Sequence, residues 1–171
     1  MKKKLFLMVG IPGSGKSTFI KDYTKKMYQP YAVISRDDIR FKMVSENEPH
    51  FSKEKAVFKE LVAEIKDSLS KNDITFADAT HINECSRGKL LRALGESLKD
   101  IEVHALVFKV PVELAIERNN GREGRKVVPE TAIRNMNSQF TMPSFEEGID
   151  IVGIRRFDKT GRLVEHREEA R

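Results

Sequence analysis

An eight-residue segment near the amino end combines three glycines with a lysine and two serines. The segment Gly10-Ile-Pro-Gly-Ser-Gly15-Lys16-Ser17 fits the pattern G-x-x-x-x-G-K-[ST] and directly follows an apolar run typical of a buried strand. Glycines let backbone N–H groups turn inward around anionic oxygens, and a helix that begins here adds its positive end. We therefore predict a nucleotide-binding loop. Its phosphate-binding residues are Gly13, Ser14, Gly15, Lys16, Ser17 and Thr18.

The two polar residues of this loop have different predicted roles. Lys16 should reach the β- and γ-phosphates of the nucleotide, and the Ser17 hydroxyl should bind Mg²⁺. GTPases carry a base-reading Asn-Lys-x-Asp element, which the sequence lacks. Large motor ATPases use longer apolar strands that end in paired acids. Here the apolar run at residues 74–77 is short, and a single acid, Asp78, follows it. The pattern therefore favours a kinase. Asp78 could assist Mg²⁺ or cap a turn.

A second cluster of charged residues follows the second apolar run, in Ser35-Arg36-Asp37-Asp38-Ile39-Arg40. In a parallel sheet the carboxyl ends of the strands meet at one crevice, so this cluster should lie beside the phosphate loop. Asp37 could accept the proton of an acceptor hydroxyl, and Arg40 could hold an acceptor phosphate. Alternatively, Asp37 and Asp38 cap a short helix and Arg40 is solvated.

The elements that must position these residues alternate along the chain. Apolar runs at residues 4–9, 32–35, 74–77 and 103–110 predict buried strands, and apolar residues at helical spacing lie between and after them. This βα alternation predicts an α/β fold of the P-loop NTPase type, a parallel β-sheet with helices on both faces. Two regions depart from the alternation. Residues 119–126 predict a basic, mobile surface loop, and residues 149–165 predict a terminal strand or hairpin.

Length and composition limit the class of protein. The 171 residues suit a single domain, and 31 basic against 26 acidic residues give a net charge of +5, which permits a phosphate-rich partner without requiring one. The single cysteine excludes an internal disulfide and favours a reducing compartment. The lysines at residues 2–4 lack the cleavage pattern of a secretory signal, and no apolar run approaches the roughly 20 residues of a membrane span. We therefore expect a cytoplasmic protein with no membrane partner.

The order of these motifs resembles the kinase domain of the bacteriophage 5'-polynucleotide kinase-phosphatase and its bacterial repair relatives. The resemblance begins with MKKKLFLMVGIPGSGKSTF and SRDDIR. It continues through Ala79-Thr80-His81, residues 107–111, and Arg118-Asn119-Asn120-Gly121-Arg122 before Val127-Val128-Pro129. It implies an adenylate-kinase-like fold with a small lid at about residues 118–128.

The resemblance also implies roles at individual positions. Asp37 matches the general base, and Arg40 matches the arginine that holds the phosphate next to the acceptor nucleoside. Arg118 and Arg122 match lid arginines that close over the ATP phosphates, and Thr80 matches a threonine on the acceptor side. The sequence departs from the family at two positions. His81 replaces the usual asparagine, and Arg125 is an additional cation whose role the pattern does not fix.

The implied activity is transfer of the γ-phosphate of ATP to the 5'-hydroxyl of DNA or RNA, with Mg²⁺, in nucleic-acid end repair. The acidic D-x-D-G-T motif of the phage protein's phosphatase domain is absent, so we expect only the kinase half, working beside a separate phosphatase or ligase. Two alternatives remain open at this point. One is a kinase of a small-molecule or nucleotide-sugar hydroxyl, and the other is an ATP-binding regulatory module that transfers nothing.

Overall fold

The computed structural model describes residues 2–171 as alternating strands and helices. The strands are β1 (Lys3–Val9), β2 (Tyr31–Ser35), β3 (Ile74–Asp78), β4 (Ile101–Lys109), β5 (Ile151–Phe157) and β6 (Leu163–Ala170). The α-helices are α1 (Lys16–Thr24), α2 (Arg36–Met43), α3 (Glu54–Lys71), α4 (Glu84–Leu94), α5 (Val112–Asn120) and α6 (Glu130–Ser138). Short 3-10 turns cover Gly95–Leu98, Gly124–Lys126 and Phe145–Glu147.

The strands form one sheet in the order β2-β3-β1-β4-β5-β6. Strands β1 to β5 are parallel, and β6 returns antiparallel to β5, so the predicted parallel sheet is confirmed. The chain adds β2 and β3 on one side of β1 and then crosses to add β4 and β5 on the other. Such a change of direction opens a crevice at the carboxyl ends of the central strands, where ligands of α/β proteins bind.

Helices cover both faces of the sheet, as the sequence predicted, because side chains alternate along the buried strands. Leu5 and Leu7 of β1 face the layer that contains α3 and α4, where they join residues such as Leu61. Phe6 and Met8 face the opposite layer, which includes Ile20 of α1, Phe76 and Phe108. The central strand β1 is therefore fixed from both sides immediately before the glycine-rich loop.

The structure departs from the sequence prediction at the ends of two elements. Asn119, predicted to begin a surface loop, lies in the last turn of α5 and is fully buried. Strand β6 continues to Ala170, beyond the predicted boundary at residue 165, because the antiparallel pairing with β5 extends as far as Ile151. The sequence pattern missed both because the buried amide and the polar strand β6 carry no apolar periodicity.

A buried ion pair supports the segment that follows β3. Arg87 of α4 is 0% exposed, and its Nε and Nη2 donate to the Glu147 carboxylate at 2.7 and 2.8 Å. Its Nη1 donates to the backbone oxygens of His81 and Thr141, at 3.0 Å each. The adjacent Thr80 oxygen accepts the Gly10 N–H at 2.9 Å. Arg87 therefore anchors the segment against which the glycine-rich loop begins.

Replacing Arg87 with alanine should lower the free energy of unfolding by about 3–5 kcal/mol, because Glu147 would keep a buried charge without its partner. Equilibrium urea unfolding measures the change. Arg134, whose ion pairs with Glu113 and Glu130 are solvent-exposed, is the matched control, and Arg134→Ala should leave the unfolding midpoint almost unchanged. Equal effects of the two substitutions would show that burial of the Arg87 pair is not what stabilises this segment.

Candidate active site

The glycine-rich loop joins β1 to α1 at the carboxyl edge of the sheet. Gly13 and Gly15 adopt φ angles of 82° and 96°, in the left-handed region that favours glycine. A Cβ on Gly13 would lie 2.1 Å from the backbone oxygen of Ala115, so no larger residue fits without a shift of α5. Helix α1 begins at Lys16, and the exposed Ser17 and Thr18 lie in its first turn. The loop thus has the curved backbone expected of a phosphate cradle.

Lys16 is a buried cation whose contacts are all to uncharged oxygens. Its Nζ donates to the backbone oxygens of Gly10 at 2.8 Å and Ile11 at 3.1 Å, and its side chain is enclosed by the loop. Among residues 2–171, no carboxylate lies within ion-pair distance of this Nζ. Burial lowers the pKa of Lys16 to about 8, and the charge of Asp78 partly opposes this shift. An anion in the loop would therefore stabilise the charged lysine.

Ser17 and Asp78 form a pair of oxygen ligands next to this lysine. The Ser17 hydroxyl donates to Asp78 Oδ2 at 2.7 Å, which joins the start of α1 to the end of β3. Burial raises the pKa of Asp78, although the Ser17 hydrogen bond and the Lys16 charge act in the opposite direction. Hydroxyl and carboxylate oxygens are the ligand types that Mg²⁺ prefers, so these residues fit a magnesium site. The sequence left the role of Asp78 open, and in the structure its carboxylate lies next to the Ser17 hydroxyl.

The second charged cluster lies at the start of α2. Ser35 is the N-cap of this helix and its hydroxyl accepts the Asp38 N–H at 3.2 Å, so neither aspartate is the cap. Arg40 is buried rather than solvated, and the alternative of a solvated arginine is wrong. The Asp37 side chain remains 62% exposed while one of its oxygens accepts a hydrogen bond from Arg40. The carboxylate therefore has a fixed partner and an open side.

Glu54 of α3 holds two arginines of this cluster. Its Oε1 accepts from Arg40 Nε at 2.7 Å, and its Oε2 accepts from Arg36 Nη2 at 2.7 Å. The sequence did not single out Glu54 or Arg36, because their partners are far apart along the chain. The Arg36 Nε is buried and has no hydrogen-bond partner among the described residues. The cluster consequently contains one donor without a partner, on the residue that precedes Asp37 in the chain.

The cluster and the phosphate loop share one electrostatic environment. The negative charge of Asp37 raises the pKa of Lys16 and also that of Asp78, while the Arg122 charge lowers the pKa of Lys16. These side chains come from α2, α1, β3 and the segment after α5, and the parallel sheet brings them to the same edge. The sequence predicted that Asp37, Lys16 and Arg122 act together, and in the structure the charges of Asp37 and Arg122 both act on the pKa of Lys16.

The other predicted site residues are more dispersed. The guanidinium of Arg118 lies against the β5–β6 turn, where a Cβ on Gly161 would be 2.4 Å from its Nη2. Thr80 contacts the phosphate loop through the backbone hydrogen bond to Gly10.

His81 is buried at a φ of 40°, and its Nδ1 lies 3.1 Å from the Met8 oxygen. Burial lowers the pKa of His81 to about 4, so it is neutral at physiological pH.

We call residues 118–128 the basic segment. Asn119, near its start, is hydrogen-bonded to Val128 at its end. Its side-chain amide donates to the Val128 oxygen at 2.8 Å and accepts the Val128 N–H at 3.0 Å. At the other end of the segment, Arg125 Nη2 donates to the Val44 oxygen at 2.6 Å. The Arg125 guanidinium also lies 5.0 Å from the ring centroid of Phe41 in α2. Arg125 thus holds the basic segment against α2 and the residue that follows it.

This geometry agrees with a family assignment. The profile of a family described as an AAA domain matches residues 5–143, from β1 to the segment after α6. The chain belongs to this family. Its phosphate loop and its sheet have the arrangement of the P-loop kinase fold.

Two curated relatives have comparable similarity to the chain. A protein of Acanthamoeba polyphaga mimivirus, whose name describes a bifunctional polynucleotide phosphatase/kinase, is 29% identical over 154 residues, which are 87% of this chain and 32% of that protein. The L-seryl-tRNA(Sec) kinase of Methanococcus maripaludis is 28% identical over 155 residues, 88% of this chain and 57% of the kinase. The chain therefore spans about a third of one relative and somewhat more than half of the other.

Solved structures show the same fold. A chain from the Pnkp1/Rnl/Hen1 RNA repair complex superposes with a TM-score of 0.60 at 23% identity, covering 81% of this chain and 44% of that one. A sugar kinase from Janibacter sp. HTCC2649 gives a TM-score of 0.59 at 16% identity, covering 90% and 86% of the two chains. The fold is thus common to a sugar kinase and to a chain of an RNA repair complex. Within residues 2–171, no helix has the length and apolar character that a membrane crossing needs.

Nucleotide affinity should depend on pH through Lys16, whose pKa is about 8 before an anion binds. A bound phosphate raises this pKa, so ADP affinity should be constant below pH 8 and then fall by up to about tenfold per pH unit above it. Titration calorimetry with ADP from about pH 7 to about pH 9.5 measures the effect. Lys16→Met should bind ADP weakly and without this decline. An equally steep decline in Lys16→Met would assign the titration to another group.

Proposed function

We propose that this chain is an ATP-dependent polynucleotide kinase that transfers the γ-phosphate of ATP to the 5'-hydroxyl of DNA or RNA. One observation carries the phosphoryl-transfer part of this proposal. The open carboxylate of Asp37 lies at the start of α2, whose cap Ser35 pairs with Asp78, and Asp78 in turn accepts from Ser17 of the phosphate loop. Its charge raises the pKa of both Lys16 and Asp78. A proton acceptor beside a phosphate cradle is what phosphoryl transfer to a hydroxyl requires.

The reaction is an in-line displacement. Asp37 removes the proton of the acceptor hydroxyl as the 5'-oxygen forms a bond to the γ-phosphorus. The bond from this phosphorus to the β–γ bridging oxygen breaks, and that oxygen leaves with its electron pair on ADP. Arg40 holds the Asp37 carboxylate in place and uses its remaining N–H groups for the acceptor phosphate next to the terminal nucleoside. No covalent intermediate with the protein is needed.

The residues of the loop fit ATP and Mg²⁺. The N–H groups of the loop from Gly13 to Thr18 and the Lys16 ammonium bind the phosphates, and Thr80 lines the acceptor side. Ser17, together with Asp78, would hold Mg²⁺, which supplies positive charge to the β- and γ-phosphate oxygens when bound. Because the Ser17 hydroxyl donates to Asp78, its lone pairs remain free to bind a cation.

The basic segment acts as a lid in this proposal. Arg122 already influences Lys16 electrostatically, and Arg118 lies one helical turn earlier in α5, against the β5–β6 turn. Closure would bring the Arg122 guanidinium onto the ATP phosphates, and Arg118, which precedes the fixed Asn119, would reach them by rotating its side chain. There both groups stabilise the charge of the γ-phosphoryl group in transit. The Asn119 contacts would keep the base of the lid fixed during this movement.

The choice of a polynucleotide acceptor rests on several observations together. The mimivirus relative is named for this activity, and a chain of an RNA repair complex shares the fold. The net charge of +5 and the arginines beside Asp37 suit a polyanionic acceptor. We further propose that residues 1–171 form one kinase domain that works in the cytoplasm, together with a phosphatase or ligase activity. A kinase of another hydroxyl is the main competing candidate, because the seryl-tRNA kinase is almost as similar.

Incubation with γ-labelled ATP, Mg²⁺ and one acceptor at a time separates the candidates. A 5'-hydroxyl DNA or RNA oligonucleotide should become labelled, and the same oligonucleotide with a 5'-phosphate should not. Label that appears only on seryl-tRNA, sugars or nucleotide sugars would reject the polynucleotide assignment. ATP binding without transfer to any acceptor would favour a regulatory module.

Asp37→Asn should abolish label transfer while ATP binding persists, because the amide cannot accept the hydroxyl proton. Transfer to the oligonucleotide and ADP affinity are measured in parallel. The neighbouring Asp38 is exposed and serves as the matched control, so Asp38→Asn should retain transfer. Transfer by Asp37→Asn close to the wild-type rate would exclude Asp37 as the base.

Arg122→Ala should reduce kcat by about 10³- to 10⁵-fold, as expected when an arginine that stabilises the transferred phosphoryl group is removed. The effect on the KM for ATP should be much smaller. Lys126→Ala removes an exposed positive charge from the same segment and should leave kcat almost unchanged. If the two substitutions give equal kcat values, the basic segment contributes only general positive charge.

A further inference from the structure

An aromatic cluster between α2 and α3 lies beside the Asp37–Arg40 pair and has no role in the steps above. Its members are Phe41 in α2 and His50 and Phe51 in the connection to α3. The His50 and Phe51 rings meet edge-to-face with centroids 4.6 Å apart, and the His50 and Phe41 centroids are 6.0 Å apart. The three rings therefore form one continuous group.

Phe51 is the member of this group that faces solvent. It is 52% exposed, although hydrophobic burial would normally remove such a ring from water. The Arg40 guanidinium lies 5.3 Å from its ring centroid, so the aromatic ring rests on the same arginine that holds Asp37. An exposed aromatic ring is thereby fixed next to the proposed base.

Charged side chains near this aromatic cluster act on the pKa of His50. Burial lowers the pKa of His50, and the charges of Arg40 and Arg125 lower it further, while Asp37 and Glu54 oppose this effect. The nearby Arg125 packs on Phe41 from the basic segment. Aromatic rings interleaved with arginines are the usual means of holding a single-stranded nucleic acid, because each base offers a flat face and each phosphate a charge.

We propose that Phe51 is the platform on which the base of the acceptor's 5'-terminal nucleotide stacks. This inference rests on the proposed polynucleotide kinase function. With the 5'-hydroxyl at Asp37 and the adjacent phosphate at Arg40, the terminal base belongs on the side of Arg40 that Phe51 covers. Stacking uses the π-face of any base, so the platform accepts acceptors of different sequence and gives little base specificity.

Steady-state kinetics with two acceptors test the platform. One acceptor is a 5'-hydroxyl oligonucleotide, and the other is identical except for an abasic 5'-terminal residue. For wild-type protein, loss of the terminal base should raise the acceptor KM by roughly 5- to 150-fold, the range expected for one stacked base. Phe51→Ala should raise the KM for the intact acceptor by a similar factor. For this variant, the KM should differ little between the intact and the abasic acceptor. The kcat and the KM for ATP should stay near wild-type values.

Two further substitutions separate stacking from simple packing on Arg40. Phe51→Trp keeps a π-face and should retain a KM near the wild-type value, whereas Phe51→Leu keeps apolar cover over Arg40 and should resemble Phe51→Ala. Tyr28 is a fully exposed aromatic residue before β2, and Tyr28→Ala is the matched control that should change nothing. The result that overturns the platform is a KM for Phe51→Leu equal to that of wild type, or an undiminished abasic effect in Phe51→Ala.

The outcome also distinguishes this inference from the function on which it rests. If wild-type protein does not phosphorylate the intact oligonucleotide, the polynucleotide assignment fails and the platform fails with it. If wild-type protein phosphorylates both acceptors with the same KM, the polynucleotide assignment stands and the platform alone is rejected.

Discussion

The buried ammonium group of Lys16 is the constraint on which the site depends. A charge removed from water costs free energy unless a partner of opposite charge compensates, and here the direct partners are uncharged oxygens of the loop. The depressed pKa of about 8 records this cost. A polyphosphate in the loop would remove it. Binding of an anion therefore stabilises the charged form of Lys16. The glycines of the loop carry no side chain and leave the space that the anion needs.

The parallel sheet determines which residues can act on that anion. Strands β2, β3 and β1 end at one edge, so Asp37, Asp78 and Lys16 are brought together although they are distant in sequence. The ion pairs of Glu54 with Arg36 and Arg40 then fix the start of α2 against α3. The Asp37 carboxylate is thus oriented by a neighbour that is itself held. A carboxylate with this support loses little entropy when a substrate binds.

The sequence predicted the parts of this site whose residue types are set by local chemistry. The loop from Gly10 to Ser17 was predicted because its glycines, lysine and serine stand at fixed spacing. The parallel sheet followed from alternating apolar runs, and it is confirmed. The contacts of Glu54, Asn119 and Arg87 were not predictable. Each depends on a partner brought close only by the tertiary fold, and a single charged or amide residue carries no periodic signal.

The acceptor side illustrates the same limit. Arg40 could be identified from its spacing to Asp37, but its burial and its contacts with Glu54 and Phe51 became apparent only from the packing of α2 on α3. The region matched by the family includes the loop and strands β1 to β4 of the sheet, and in the proposed function these side-chain contacts select the acceptor. Relatives that phosphorylate different hydroxyl groups can therefore share the fold.

The most direct measurement is a crystal structure with Mg²⁺, a non-hydrolysable ATP analogue and a 5'-hydroxyl oligonucleotide. The account predicts that the 5'-oxygen lies about 3 Å from an Asp37 carboxylate oxygen, on the line through the terminal phosphorus and its bridging atom. An acceptor bound with its 5'-oxygen away from Asp37, or a carboxylate turned away from the terminal phosphorus, would contradict it.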